Sequence, residues 1–442
     1  MKNLVIIMLL FFGAQELVGQ QLDKKKLDQY FEALEAGNKL MGSVTLSQEG
    51  KVIYQKSIGY ADLDQEIKAK PEFKYRVGSI SKMFTAVLVM KAIEEGRLSL
   101  EQTIETFFPE LENASNISIS QLMSHRSGIF SVTSRPDYLS WNEHPKSRDG
   151  LYKLILDGTA VFDPDTKAEY SNSNYILLTW ILEDTFKQDI SSLVEQYISK
   201  PLHLRNTYIG KEASVENGEV YSYKFLGEWQ KAGETHMSIP LGAGAIVAST
   251  EDLTKFIEGL FAGDLISIES LELMKEMQDN FGRGMFKIPY HDKVSFGHTG
   301  GIDEFKSMLS YFPDDRLSIA ISVNGSTIDP NQAALTVLDA YFGKDFEVPS
   351  FKDTNISSEE LDQYLGLYSS PSFPLQITIT KDSLVLNAQA TGQPAFSLTY
   401  EGDHVFTFYQ ARLTLVFDPD QDQMTLKQGG GEFVLKRNAV EK

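Results

Sequence analysis

The chain has 442 residues, of which 42% are hydrophobic, 11% aromatic and 23% charged; these are the values of a folded globular protein and exclude a disordered tail or a fibrous repeat. Its 61 acidic residues against 41 basic ones give a net charge of −20, which disfavours nucleic acid and anionic lipid as partners. There is no cysteine, so disulfides, thiolate metal sites and a cysteine nucleophile are excluded.

Lys2 and Asn3 precede an apolar run from Leu4 to Phe12, with small residues at Gly13, Ala14 and Gly19. That order predicts a secretory signal peptide over residues 1–20, cleaved near Gly19 to Gln21; a buried N-terminal helix is the alternative. The run is shorter than the roughly 20 residues of a membrane span, and no later stretch approaches one. With no cysteine to carry a lipid anchor, the expected location is secreted or periplasmic.

A helix is predicted over Leu27 to Ala36. Gly42 to Ser47 and Lys51 to Lys56, joined by Gln48-Glu49-Gly50, read as a β-hairpin. From Phe73 to about Leu98 the pattern is helical, with a stop at Gly96; Lys82 to Glu95 is apolar nearly all round, so this helix is expected to be central and buried. Residues 117–130, 150–160, 174–187 and 190–199 read as further helices. Ala243 to Ser249 reads as a short strand or turn, followed by a helix to Gly263 capped by Thr250. Lys306 to Phe312 and Leu317 to Asn324 alternate like two strands, and a helix follows at Asn331 to Phe342. Strands at both ends with helices between predict one sheet built from the two termini of this region and flanked by helices, an α+β architecture over residues 21–345. Pro, Lys and Asp accumulate in a linker at 346–355. Beyond it, after a short helix at Ser358 to Leu365, evenly spaced short strands over 356–442 predict a small antiparallel all-β barrel.

Three short motifs can carry chemistry. In Ser79-Ile80-Ser81-Lys82 a helix starting at Ser79 puts Lys82 one turn on, on the same face. A serine hydroxyl needs a base to become a nucleophile, and a neutral lysine can serve; shifting a lysine from about 10.4 to near 7 costs roughly 4 to 5 kcal/mol, which burial must supply. Ser79 at a helix N-terminus also presents its own N–H to a developing oxyanion. No other serine here has lysine three residues on, but taken alone the pattern fits an N-cap serine with a solvated lysine better. Tyr170-Ser171-Asn172 is the only Tyr-x-Asn among 19 tyrosines. A phenol can relay a proton and an amide can fix a lysine or a substrate carbonyl; a capping loop is the bland reading. His298-Thr299-Gly300-Gly301 precedes a β pattern, and its glycines permit close backbone approach. His298 and Thr299 can hold a substrate carboxylate, and a glycine N–H can serve as second oxyanion donor; a bulged strand with a surface histidine is the alternative.

In this order and spacing the three motifs resemble the serine β-lactamase and penicillin-binding-protein family, in the branch of class C β-lactamases, D-Ala-D-Ala carboxypeptidases, D-aminopeptidases and related esterases. The likeness runs from about Leu27 to Phe342 and extends to Tyr75-Arg76-Val77-Gly78, Leu122 to Gly128 and Ala243-Gly244-Ala245. It implies the β-lactamase/transpeptidase fold, with a lipocalin-like barrel behind it. It also implies Ser79 as acylated nucleophile, Lys82 as base, Tyr170 as proton relay, and Asn172, His298, Thr299 and Gly300 at the substrate. The N–H groups of Ser79 and Gly301 become the oxyanion hole. Three positions depart from the family pattern: His298 stands where β-lactamases carry lysine, Glu304 where a second glycine is usual before Phe305, and Asp165 after Pro164 where glycine is usual, which is expected to reshape that loop.

The expectation is a secreted serine hydrolase that acts on a small molecule or peptide through an acyl-enzyme and needs no cofactor or metal. The preferred substrates are D-amino acid peptides, amides or small esters; β-lactam hydrolysis and a non-catalytic wall-fragment binder are the rivals. His298, unperturbed near 6.5, is expected to gain charge toward pH 6, and Glu304 to oppose anionic ligands. His125 is expected to satisfy backbone groups near the site. Oligomeric state is not legible in the sequence.

Overall fold

The computed structural model describes residues 22–351, 356–408, 411 and 413–438; the leader expected over residues 1–20 and part of the 346–355 linker lie outside them. Helix α1 (Lys24–Ala36) starts at Asp23, whose side chain accepts from the Lys26 N–H. Its buried side chains Leu27, Tyr30, Phe31 and Leu34 fall at helical spacing, so one stripe faces the sheet, each side chain contributing roughly 1.5–3 kcal/mol of burial. The expected hairpin is formed by β1 (Leu40–Gln48) and β2 (Lys51–Ile58).

The central helix starts later than its pattern suggests. Tyr75–Arg76 is extended and pairs with Ile246–Ala248, Gly78–Ile80 forms a 3₁₀ turn, and α2 runs only from Ser81 to Glu94. Gly78 has φ +53°, which no right-handed helix can include. Every face of α2 is packed, as its composition predicts: residues 81–90 are all buried. In the 117–130 stretch only Ile119–Met123 is helical, because the backbone turns left-handed at His125 (φ +59°) and Gly128 (φ +75°). Helix α3 spans Asn172–Phe186, and α4 spans Thr250–Ala262. The cap of α4 is Ser249, not Thr250: the Ser249 side chain accepts from the Asp252 N–H, while Thr250 is turned inward onto Thr45 Oγ1 at 2.7 Å.

Four more strands complete the sheet: β3 (Phe286–Tyr290), β4 (Lys293–Ile302), β5 (Phe305–Phe312) and β6 (Leu317–Ser326). The order is β3-β4-β5-β6-β1-β2, antiparallel throughout, so the chain's two ends meet at the β6–β1 pair as expected. Strand β6 is buried on both sides from Leu317 to Gly325, because α1 and α5 (Pro330–Tyr341) cover one face and α4 with the α2–α3 core the other. Phe84 of α2 stacks on Phe256 of α4 at 3.8 Å, tying that core to the sheet.

Beyond residue 356 the strands are β7 (Gly366–Ser370), β8 (Phe373–Asp382), β9 (Val385–Ala390), β10 (Phe396–Ser397), β11 (Thr399–Gly402), β12 (Val405–Phe408), β13 (Leu413–Asp418), β14 (Gln423–Gln428) and β15 (Gly431–Arg437). They make one sheet, β10-β9-β8-β7-β15-β14-β13-β12-β11. Its edges, β10 and β11, are consecutive in the chain, so the sheet curls into a nearly closed barrel with a seam between them. The barrel is clamped to the first domain by Lys39, 2% exposed, whose Nζ lies 3.0 Å from Glu401 Oε2.

Candidate active site

The Val77-Gly78-Ser79 segment crosses the end of β4 with its main chain in near contact. A Cβ on Gly78 would lie 2.7 Å from the Gly301 nitrogen, and one on Gly300 only 2.0 Å from the Val77 oxygen. Ser307 Oγ donates to the same Val77 oxygen at 2.7 Å, and Ser81 Oγ donates to the Gly78 oxygen at 2.7 Å while accepting from Ile246 N–H. Glycine is thus needed at 78 for its left-handed φ and at 300 for space. The result sets Ser79 and Gly301 side by side in the wall of a cleft of about 730 Å³. Ser79 sits in the 3₁₀ turn before α2 rather than in the helix itself.

Lys82 is wholly buried, and its Nζ has three polar neighbours: Ala243 O at 2.7 Å, Asn172 Oδ1 at 2.8 Å and Ser79 Oγ at 3.1 Å. The first two are acceptors only. A neutral amine has two N–H donors and one lone pair, so these two acceptors consume its donors and aim its lone pair at the Ser79 hydroxyl. Burial pushes Lys82 well below the usual lysine pKa, the direction a base requires. Each acceptor is held from behind. The Ala243 carbonyl belongs to a turn pinned between helices, with Thr85 Oγ1 donating to Gly242 O at 2.8 Å and Gly242 N–H donating to Thr179 Oγ1 at 3.0 Å. Asn172 opens α3, donating its N–H to Ser131 Oγ at 3.1 Å and its Nδ2 to Thr133 Oγ1 at 2.8 Å.

Tyr170 lies over this group, with Lys82 Nζ 4.8 Å from its ring centroid. Its buried Oη makes no hydrogen bond with the described residues. Burial raises its pKa and the nearby Ser79 hydroxyl lowers it only in part, so it is a neutral phenol. A buried phenol with only the nearby Ser79 hydroxyl to face suits a group that gains a full partner when substrate or water arrives. His125 stacks on the Tyr170 ring at 4.4 Å, and its Nδ1 accepts from Ser171 N–H at 3.1 Å, the backbone-satisfying part expected of it.

His298 is neither a surface residue nor a titrating one near pH 6. It is 3% exposed and lies 4.6 Å from the Phe286 ring. Its Nδ1 donates to Thr299 O at 2.5 Å. Burial first, and Lys82 second, lower its pKa to about 3. Thr299, by contrast, is exposed. Glu304 does line the cleft, but Lys224, Lys231 and Lys306 line it too, so its charge does not set the local field as the sequence suggested. Lys306, opposite Gly301 in the β4–β5 register, brings its ammonium 3.5 Å from where a Gly301 Cβ would stand. Asp165, expected to reshape its loop, takes φ +68°, a conformation glycine adopts freely, and Arg126 Nε donates to its carboxylate at 2.6 Å. Among the described residues no cluster of three His, Asp or Glu side chains is arranged for a metal ion, and no helix is long and apolar enough to cross a membrane.

The motif residues Ser79, Lys82, Tyr170, Asn172, Gly300, Gly301 and His298 thus converge, although His298 is behind the wall rather than in it. Thr133, Ser131, the Ala243 carbonyl and the three lysines join them without having been singled out. Of these only Ala243 lay within a noted signature, and its role belongs to a main-chain atom.

A sequence model described as Beta-lactamase matches residues 27–342. The Staphylococcus aureus protein flp is 26% identical over 317 residues, 68% of this chain and 63% of that protein, so the chain spans less than two thirds of that relative's length. A penicillin-binding protein of Bacillus subtilis is 24% identical over 385 residues, 79% of this chain and 84% of that one. Among solved structures, a D-stereospecific amidohydrolase from Streptomyces sp. superposes with TM-score 0.62 at 25% identity, covering 72% of this chain and 99% of that one. An octameric penicillin-binding protein homologue from Pyrococcus abyssi covers 94% of this chain and 100% of its own, with TM-score 0.64 at 22% identity, so the likeness of fold extends over the barrel.

Proposed function

We propose, for a chain that belongs to the Beta-lactamase family of serine hydrolases, that Ser79 forms an acyl-enzyme with D-amino acid peptides, amides or small esters. The observation that carries this reading is the set of contacts around Lys82. With both N–H donors occupied by Asn172 Oδ1 and Ala243 O, its lone pair takes the Ser79 proton as Oγ attacks the carbonyl carbon. The C=O π electrons move to oxygen, and the oxyanion is stabilised by the N–H groups of Ser79 and Gly301. On collapse the bond to the leaving group breaks. The leaving group takes a proton through the Tyr170 phenol, which is replenished from the Lys82 ammonium. Tyr170 is held neutral by burial, so it passes protons and does not act as a phenolate base. In deacylation a water molecule gives its proton through Tyr170 to Lys82 as its oxygen attacks the acyl carbon; on collapse the bond to Ser79 Oγ breaks, Lys82 returns the proton to that oxygen, and the acid is released.

The neutral state of His298 supports amides and esters over β-lactams, since no permanent cation stands at that position to hold a β-lactam carboxylate. The likeness to the D-stereospecific amidohydrolase from Streptomyces sp. supports the D-stereospecific part. The leader reading of residues 1–20 supports a site of action outside the cytoplasm.

The test is intact-protein mass spectrometry after incubation with a D-alanyl amide, a short-chain p-nitrophenyl ester and nitrocefin, with kcat/KM for each. A transient adduct on the peptide holding Ser79, lost in Ser79→Ala, is expected, with amide or ester ahead of nitrocefin. An adduct on another serine refutes the nucleophile. A tenfold lead for nitrocefin, about 1.4 kcal/mol of transition-state preference, makes the protein a β-lactamase. A stable adduct without turnover makes it a binder.

A further inference from the structure

The cleft at Ser79 does not stand alone. Lys224 and Glu304 belong to its wall and equally to the wall of a second chamber of about 720 Å³. The two cavities therefore abut at these side chains. The second chamber lies between the Tyr223–Phe225/Trp229–Lys231 hairpin and the barrel, with the hairpin tip in contact with it: a Cβ on Gly227 would lie 2.7 Å from Leu384 Cβ. On the barrel side the lining comes from the seam, with Phe396 and Ser397 of β10 and Thr399 and Tyr400 of β11.

Two features give the chemistry of an occupant. First, β10 and β11 are the edge strands of the barrel sheet, so among the described residues each has one side without a strand partner, the template on which an extended chain pairs. Second, the walls mix aromatic faces with both signs of charge. Phe396 and Phe408 stack at 4.3 Å, while Lys224, Glu304 and Glu360 bring charge. A site for an alkyl chain would be apolar throughout; backbone edges, aromatic faces and charges of both signs suit a polypeptide.

Resting on the hydrolase reading above, we propose that this chamber is a subsite for the distal residues of a peptide substrate. The substrate would lie extended along the β10/β11 seam while its scissile bond sits at Ser79. The barrel is then part of the specificity apparatus, and the natural substrate is longer than a dipeptide.

The full-length protein is assayed with D-alanyl p-nitroanilide and with two extended substrates. One carries Ac-Gly-Phe-Ser-Phe-Gly on the acyl side of the same anilide; the other carries Gly-Phe-Ser-Phe-Gly on the leaving side of D-alanine. At least one extension is expected to raise kcat/KM tenfold or more. Thr399→Trp, which fills the chamber, should remove that gain, lowering the ratio of extended to short substrate about tenfold. Ser397→Trp on β10, which lines the second chamber and not the Ser79 cleft, is the second variant and should lower the same ratio. Short-substrate turnover with no gain from either extension overturns the proposal, as does an equal fall for short and extended substrates in both variants. A tenfold preference for a long-chain acyl p-nitrophenyl ester over both peptides also overturns it. If no substrate acylates Ser79, the hydrolase reading fails by itself. The subsite is then judged by fluorescence anisotropy of the labelled peptides on Ser79→Ala protein, with tenfold tighter binding than a labelled D-alanyl amide expected, and equal binding refuting it.

Discussion

The Lys82 contacts make a prediction about stability that is separate from catalysis. In the fold Lys82 is neutral over some range of pH; in the unfolded chain it is protonated up to about 10.4. Its folded pKa is depressed by burial, so between the folded and unfolded values the unfolded state holds one proton more. Unfolding free energy then rises with pH by about 1.4 kcal/mol per unit from this one group. Lys82→Met removes the titration at nearly constant volume. It also leaves Asn172 Oδ1 and Ala243 O without their donor, at about 1–3 kcal/mol each, but that loss does not vary with pH. The neighbouring His298 has a pKa near 3, and His125 is also pushed well down, both by burial first, so neither enters the window when the lysine is gone. Urea unfolding of both proteins in unit steps from pH 6 to 10 should show wild type gaining on the variant, by up to about 1.4 kcal/mol per unit, over the range in which Lys82 is neutral in the fold and protonated when unfolded. The variant should lose roughly 10²–10⁴ in kcat, as expected for a missing general base. A difference that stays constant from pH 6 to 10 would mean that Lys82 is charged in the folded state, and the base assignment would fall.

Three further expectations follow from the same geometry. The ratio of kcat/KM for a carboxylate-bearing substrate to that for a neutral amide should be flat from pH 5.5 to 8.5, because His298 stays neutral there; a rise toward pH 6 would restore the histidine as a switchable cation. Gly78→Ala, with φ +53° and 2.7 Å between its Cβ and Gly301 N, should cost about 10²-fold or more in kcat by parting the two oxyanion donors, checked by kinetics on protein with native circular dichroism. Glu401→Gln should lower the thermal midpoint more than Lys39→Met does, since it strands a lysine 2% exposed, a loss of about 3 kcal/mol or more for a broken buried pair; equal shifts would show the pair to be incidental.

Much of the site was legible because its chemistry resides in side chains at short spacing: Ser79 with Lys82, Tyr170 with Asn172. What escaped lies in other currencies of structure. The Ala243 carbonyl is main chain and has no residue signature. Thr133 and Ser131 sit in a loop with no periodicity, and their part is set by how that loop lies on the first turn of α3. The burial of His298 depends on Phe286 of the adjoining strand and on Tyr170, 128 positions earlier, contacts that no local pattern encodes. The same holds for the fold. The hairpin, the sheet made of both ends and the α1 stripe follow from alternation and helical spacing. The start of α2 was misplaced because apolar content continues through an extended segment whose only punctuation is Gly78. Between two capping residues, Ser249 and Thr250, a distant partner, Thr45, decided which one turned inward.

The pairing of β6 with β1 has a consequence in time. Ser79, Lys82 and Asn172 have all left the ribosome while the strand that carries Gly301 is still unmade, and β1 then waits for a neighbour nearly three hundred residues downstream, Leu40 opposite Ser326. Closure over so long a loop is slow compared with helix formation. A nascent chain therefore has its nucleophile and base but no complete cradle for the oxyanion. Activity should emerge late, in step with the last sheet contacts rather than with the burial of the helices.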